Sequence, residues 1–195
     1  RLRSNIYDTR RIVHDFAALF FEGAWHASDA WTLIGSGRLD WQDRSGWVGS
    51  PRGSLVFSPA PAHVFRFSIG RAFRDPTITE RHLQFRPQID TPLGIPAYLA
   101  VRGDPALKQE GITLFELAHT GQFGPLGLQS VGFHYRLRDV IVSGLLQPVP
   151  EALPQLRVQT TFSNSLQTVH AWGGELSGQL KLGKHAQLFA TYSHQ

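Results

Sequence analysis

Apolar and polar residues alternate with a period of two through segment after segment of this chain, and that rhythm belongs to strands with two different faces, not to helices. From Trp31 to Gln42 one face reads Trp31, Leu33, Gly35, Gly37, Leu39 and Trp41, and the other Thr32, Ile34, Ser36, Arg38, Asp40 and Gln42. Phe65, Phe67, Ile69 and Phe73 oppose Arg66, Ser68, Gly70, Ala72 and Arg74. Val131, Phe133, Tyr135 and Leu137 oppose Ser130, Gly132, His134, Arg136 and Arg138; Trp172, Leu176, Leu180 and Leu182 oppose Glu175, Ser177, Gln179 and Lys181. Less regular stretches over 15–26, 50–58, 112–123 and 187–193 bring the pattern to about eight strands, with no convincing helix left over.

The connections alternate in length. Those over 26–31, 58–63, 123–128 and 183–187 are tight and hold Pro, Gly, Asp or Ser, whereas 43–49, 75–111 and 144–156 are longer. Short turns at one end and long loops at the other describe an up-and-down meander like that of an outer-membrane barrel.

Two-faced strands also build soluble sandwiches, so the aromatic positions matter. Trp31 and Trp41 share a face ten residues apart, roughly 33 Å along a strand. Tilted by about 45°, this spans roughly 23 Å of bilayer normal, close to the apolar band between two aromatic girdles. Nothing charged lies between them on that face. The opposite face carries Arg38 and Asp40, costly in a dry core but natural in a polar lumen.

Composition agrees. Only 17% of the 195 residues are charged and 42% are hydrophobic, against a usual charged share of roughly 25%. The absence of Cys excludes a disulfide scaffold, a thiolate metal site and a cysteine nucleophile. The longest apolar run, from Phe16 to Phe21, is far below the roughly 18 residues of a membrane helix. Lys and Arg exceed Asp and Glu by 19 to 15, but the arginines are scattered and form no phosphate-tracking stripe, so nucleic acid is not an expected partner. No signal peptide is visible at the N-terminus.

A succession of motifs resembles a known family. Ser50-Pro51-Arg52-Gly53-Ser54-Leu55-Val56-Phe57, followed by Phe65-Arg66-Phe67-Ser68-Ile69-Gly70-Arg71-Ala72-Phe73-Arg74-Asp75-Pro76, resembles the barrel of a TonB-dependent outer-membrane receptor. Gly37-Arg38-Leu39-Asp40, then Gly103-Asp104-Pro105-Ala106-Leu107-Lys108-Gln109-Glu110 with Glu116-Leu117, and finally Gly173-Gly174-Glu175-Leu176 match further stretches of the family in order and spacing. Gln109 stands where the family usually has Pro, Asp104 where it has Asn, and Ala118 where it has Gly.

The resemblance implies an all-β fold: an antiparallel up-and-down transmembrane β-barrel, of which this chain supplies about eight strands out of about 22. Residues 1–195 are then expected to be part of a single barrel domain. Arg1, the lack of Met and the strand-like end at Gln195 suggest an interior fragment, with the plug domain and the barrel ends absent. The parent is expected in the bacterial outer membrane, importing a scarce nutrient such as a ferric siderophore or cobalamin. Its expected partners are outer-membrane lipid, a small-molecule ligand at the extracellular loops, and TonB through the missing plug region. No cofactor is implied. A small stand-alone barrel with a structural or adhesive role, and a soluble β-sandwich binding module, are the alternatives.

Loops on a rigid barrel carry recognition, which directs attention to 75–111. Arg81, His82, Arg86, Tyr98 and Arg102 lie there, and cationic and aromatic groups suit an anionic ferric chelate. Arg38, Asp40, Arg52, Glu116, Arg136 and Glu175 read as lumen-wall charges that pair with one another or with a plug. Nine His are present, but none forms the spacing of a zinc site, and His63, His119, His134 and His170 lie on separate segments. No Gly-x-Ser-x-Gly elbow or phosphate loop occurs, so the chain is not expected to be an enzyme and no metal is expected.

Overall fold

The computed structural model describes residues 15–43, 46–85, 88–89, 97–150 and 156–195. Strands β1 (Phe16–His26), β2 (Trp31–Gln42), β3 (Gly46–Ala60) and β4 (His63–Arg74) come first, followed by α1 (Ile78–His82), β5 (Gln84–Phe85), β6 (Gln88–Ile89) and β7 (Ala97–Arg102). Next are β8 (Glu110–Phe123) and β9 (Leu126–Arg138), then β10 (Ile141–Ser143), β11 (Gln147–Pro148) and β12 (Leu156–Asn164), and last β13 (Val169–Leu182) and β14 (Ala186–His194).

The chain divides into two compact units. One, made of 15–73, 111–137 and 169–195, holds an eight-stranded sheet in the order β1, β2, β3, β4, β8, β9, β13, β14. Sequence neighbours are spatial neighbours throughout, as in a meander built from hairpins. The described residues of 74–110 and 138–168 form the other unit. There β10, β12, β7 and β5 pair in that order, with β11 on β12 and β6 on β7, and β7 runs parallel to β12.

Two expectations about local structure change. Strand β3 starts at Gly46, four residues before the expected 50, so the connection expected over 43–49 shrinks to 43–45. Trp41 lies directly across from Trp47, and this aromatic cross-strand pair extends the ladder. The loop 75–111 also contains a helix, α1, where none was expected. Its start is a capping box: the Thr77 hydroxyl accepts from the Glu80 N–H at 3.1 Å, and the Thr77 N–H donates to Glu80 Oε2 at 2.7 Å.

In the eight-stranded unit the register sorts the side chains onto two faces. Leu33 lies opposite Leu55, and Leu55 opposite Phe67. Trp31 stacks on Phe57 with ring centroids 4.2 Å apart, Phe57 on Phe65 at 6.3 Å, and Phe65 on His119 at 4.4 Å. This aromatic row crosses four strands near their tight turns, while Trp41 and Trp47 stand toward the other end. The apolar side chains are the exposed ones: Trp25, Phe21 and Trp172 are each about two-thirds exposed. Among the described residues the buried hydrophobics are only Ala97, Ala100, Leu107 and Ala118. A soluble sheet would bury these aromatics, and a sandwich would cover them with a second sheet.

The opposite face is polar and internally bonded. Ser54 and Ser68 hydroxyls meet at 2.8 Å, Arg66 pairs with Glu116 at 2.8 Å, Arg38 with Asp40 at 2.7 Å, and Gln179 donates to Gln187 at 3.0 Å.

Strand β9 is oriented against its own hydrophobicity. Val131 lies opposite Glu175, and Trp172 opposite His134; the His134 ring in turn faces Phe115 at 6.1 Å. Val131, Phe133, Tyr135 and Leu137 therefore share the polar face, and Arg136, expected as a lumen-wall charge, stands on the apolar one. Glu175 stays on the polar face with Glu116. The tight turn at Gly124-Pro125, where Gly124 takes φ +59°, fixes β9 against β8. A slip by one residue would reverse every side chain of the strand, so the turn overrides the strand's own preference.

Charge placed on the two faces should have opposite consequences. In the full-length protein, Phe67→Arg in mid-β4 on the apolar face is expected to cost about 2–4 kcal/mol of folding stability in bilayers. Gln129→Arg, on the polar face, should leave it within about 0.5 kcal/mol. Unfolding titrations in lipid vesicles measure both.

Candidate functional site

The second unit is organised around one guanidinium. Arg74, the last residue of β4, donates from Nε to Glu110 Oε2 at 2.5 Å and from Nη1 and Nη2 to the two carboxylate oxygens of Glu80 at 2.9 and 3.0 Å. Glu110 Oε1 accepts the N–H of Ile141 at 2.6 Å. A single planar fork thus joins the end of β4, the helix α1, the start of β8 and β10. Asn164 adds a second tie. Its side chain accepts the Lys108 N–H at 2.7 Å and donates to the carbonyls of Lys108 and Asp139 at 3.0 and 2.7 Å. Asp139 itself turns through φ +54°, a left-handed conformation that Asp tolerates.

These ties hold the segment where the candidates lie. Arg81 and His82 end α1, Arg102 ends β7, and the chain at Gly103 passes directly against the helix. The Gly103 N–H donates to the Leu83 carbonyl at 2.8 Å, and the Asp104 N–H to the Glu80 carbonyl at 2.9 Å. A Cβ on Gly103 would lie 2.5 Å from the carbonyl carbon of Arg81 and from the nitrogen of His82, so only glycine permits this approach.

The result is a cavity of about 320 Å³ lined by Arg81, His82, Leu83, Gln84, Arg102, Gly103 and Pro105. Three of the five expected ligand residues, Arg81, His82 and Arg102, therefore meet in one place. Among the described residues its lining contains no carboxylate. Arg81 is buried while His82 and Arg102 are half-buried, an arrangement suited to an anion or a polarisable planar ligand. Tyr98 lies on β7 opposite Gln88 and Arg157, four residues before Arg102 or about 13 Å along the strand, and does not line the cavity. Arg86 lies outside the described residues.

The motif departures are accommodated. Asp104, in place of the usual Asn, accepts the Ala106 N–H at 2.8 Å in the local turn both residue types form. Gln109, in place of the usual Pro, donates to Asp75 Oδ1 at 2.8 Å. Ala118 is buried.

In the eight-stranded unit the polar face encloses a larger hollow of about 610 Å³, to which Phe20, Arg38, Arg52, Ile112, Leu114 and Tyr135 contribute. Arg38 and Arg52 are thus found where the lumen-wall expectation put them. The four histidines on separate segments come together as two pairs, His63 with His119 at 3.3 Å and His134 with His170 at 3.1 Å between ring nitrogens.

A family model described as TonB dependent receptor-like, beta-barrel, matches residues 2–195. The chain belongs to that family, and its sheet is part of such a barrel; in barrels of this kind the polar face lines the lumen and the apolar face meets lipid. Solved receptors share the fold. The siderophore receptor PirA from Acinetobacter baumannii is 16% identical with a TM-score of 0.74, over 93% of this chain and 27% of its own. The ferric enterobactin receptor PfeA from Pseudomonas aeruginosa gives 18% identity and a TM-score of 0.76, over 93% and 26%. The Serratia marcescens hemophore receptor HasR, solved with its hemophore HasA and heme, gives 15% and 0.71, over 93% and 34%. The chain thus spans about a quarter to a third of those receptors. No curated protein matches it.

Two outcomes follow from the geometry around α1. Arg74 above all, together with Thr77, holds the Glu80 carboxyl down to about 2, against a partial burial that pushes the other way. A lowered carboxyl stabilises the fold above its unfolded-state value and loses that contribution as pH falls toward the folded one. Amide protection factors over 77–83 in the full-length protein should therefore be high at neutral pH and fall as pH falls from about 4.5 to about 2. Glu80→Gln should be less protected at neutral pH and lack that component. Gly103→Ala should loosen the same segment by about 1–3 kcal/mol, read as faster proteolysis of 81–105 with the sheet intact.

Proposed function

We propose that this chain is part of the barrel wall, within one barrel domain, of an outer-membrane receptor that imports a scarce nutrient such as a ferric siderophore or cobalamin. The cavity that Arg81, His82 and Arg102 line together carries the ligand side of this reading. It presents cationic groups on a braced loop of a protein whose family consists of transporters. Long connections of such barrels face the exterior, so the cavity would meet ligand arriving from outside. Arg86 and Tyr98 complete the candidate set, as further cationic and stacking groups of the same segment. Energy would come from TonB through a plug region of the parent, and no catalytic role is assigned. The solved relatives include receptors for ferric enterobactin and for a heme-bearing hemophore, and an anionic iron chelate is the ligand class that the three basic side chains favour.

Full-length receptor carrying Arg81→Ala with Arg102→Ala tests this. Binding of ferric enterobactin, a ferric hydroxamate and cobalamin is measured in turn. Loss of two charge-assisted contacts should weaken the anionic chelate by roughly 100-fold or more and leave uncharged ligands within about threefold. Equal affinity of wild type and variant for all three would remove the cavity from ligand binding.

A further inference from the structure

Charge is divided between the two faces of the eight-stranded unit in a way that barrel formation alone does not require. Within 15–73, 111–137 and 169–195 the strands carry Glu22, Asp40, Glu116 and Glu175, and also Arg38, Arg52, Arg66, Arg71, Arg136 and Lys181. The register places all four carboxylates on the polar face, together with Arg38, Arg52, Arg66 and Lys181. That face is balanced, four against four. The two remaining arginines of these segments, Arg71 and Arg136, stand on the apolar face, as does Arg138 at the end of β9, and these strands place no carboxylate there.

These two arginines occupy the same level of the sheet. Along β8, Gly111 sits beside the Phe73 ring, 3.7 Å from where its Cβ would be, and Phe115 sits beside the His134 ring. Arg71 is two residues before Phe73 and Arg136 two after His134, so both flank Thr113 from opposite sides. One intervening strand puts their backbones about 10 Å apart, a span that two long side chains close around a single phosphate. Neither has a carboxylate partner among the described residues. The Arg71 guanidinium lies 4.6 Å from the centre of the Phe73 ring, and Arg136 Nε is shielded from solvent with no hydrogen-bond acceptor. His170, directly opposite Arg136, extends the row.

The next row toward the tight turns changes character. Ile69, Phe115 and Trp172 lie there, exposed by 43, 37 and 69%, with His134 among them. A cationic row above an apolar one, on the lipid-facing side and within three residues of the β4 end, matches a lipid with its headgroup at the rim and its acyl chain below. An unpaired Arg is costly at the bilayer centre and nearly free at the interface, and a phosphate supplies the acceptors that this face lacks. We propose that Arg71 and Arg136 form a binding site for the phosphate of an anionic outer-leaflet lipid, with Ile69, Phe115 and Trp172 receiving its chain. This rests on the assignment of the apolar face to lipid.

The test uses full-length receptor in mixed bilayers, with phosphatidic acid and phosphatidylcholine of identical chains as probes and native mass spectrometry of retained lipid as readout. Wild type should retain phosphatidic acid roughly tenfold over phosphatidylcholine, and the preference should shrink with salt. Arg71→Gln with Arg136→Gln should abolish it, while Arg38→Gln on the polar face should preserve it. Unheated gel mobility reports folding of each variant. If the double variant does not fold, the single variants and the salt dependence of wild type decide. Equal retention of the two lipids by wild type, or an unchanged preference in a folded double variant, overturns the site. Brominated acyl chains separate this from the facing assignment. Quenching that is reduced by Trp31→Phe and Trp41→Phe alongside absent headgroup preference removes the phosphate site alone. No contribution of Trp31 and Trp41 to quenching removes the facing assignment beneath it.

Discussion

The backbone ladder of the eight-stranded sheet is the constraint on which the rest of the structure depends. Each strand satisfies its N–H and C=O groups on its neighbours, so the side chains are free to make opposite choices on the two faces. A soluble domain must spend one face on a core. Here Ala118 is the only hydrophobic side chain among the described residues of the sheet unit that is buried, and the large aromatics point outward. The stability of such a sheet comes from its hydrogen-bonded ladder and from the lipid that takes the place of a core.

Once the ladder is set, its turns determine chemistry at a distance. The Gly124-Pro125 turn fixes β9 with Tyr135 inward and His134 and Arg136 outward. A strand free to choose would bury its Val, Phe, Tyr and Leu side in lipid. Tyr135 instead contributes to the hollow that also holds Arg38 and Arg52, while two basic groups are left on a face dominated by Phe and Leu. Register is collective: β9 cannot turn over without breaking its pairing with β13 along the whole run from Val169 to Leu180. The placement of a few polar groups on the wrong side costs less than that ladder.

This is also why the sequence was legible in some places and not in others. Strands β2, β4 and β13 show clean alternation, because their own residues agree with the sheet around them, and their faces could be read directly. The side of β9 could not, since the deciding information lies in a turn and in partner strands. The early start of β3 at Gly46 depends on Trp47 meeting Trp41, a contact outside either strand's own pattern. Helix α1 had a readable signal in Thr77-x-x-Glu80, but its five residues are too few to establish a 3.6-residue period. In the loop, charge and residue type were enough to single out Arg81, His82 and Arg102. That they converge depends on Gly103 passing against α1 and on Arg74 gripping two glutamates, and no spacing in the sequence states either fact.

The ion pairs of the two units differ in what they hold. Arg38 and Asp40 are two residues apart on one strand, and Arg38 is well exposed; such a pair secures local charge and little else. Arg74 joins Glu80 and Glu110, six and 36 residues away, and both carboxylates are largely withdrawn from solvent. Removing the guanidinium would leave two like charges facing each other with their main donor gone, a penalty larger than the loss of either bond. The cavity of Arg81, His82 and Arg102 therefore stands on a neighbouring cation that does not line it. A ligand that adds negative charge to the cavity meets three basic side chains, while Glu80 and Glu110 are engaged by Arg74. With Glu80 and Glu110 engaged by Arg74, an anion entering the cavity has less opposing charge to overcome.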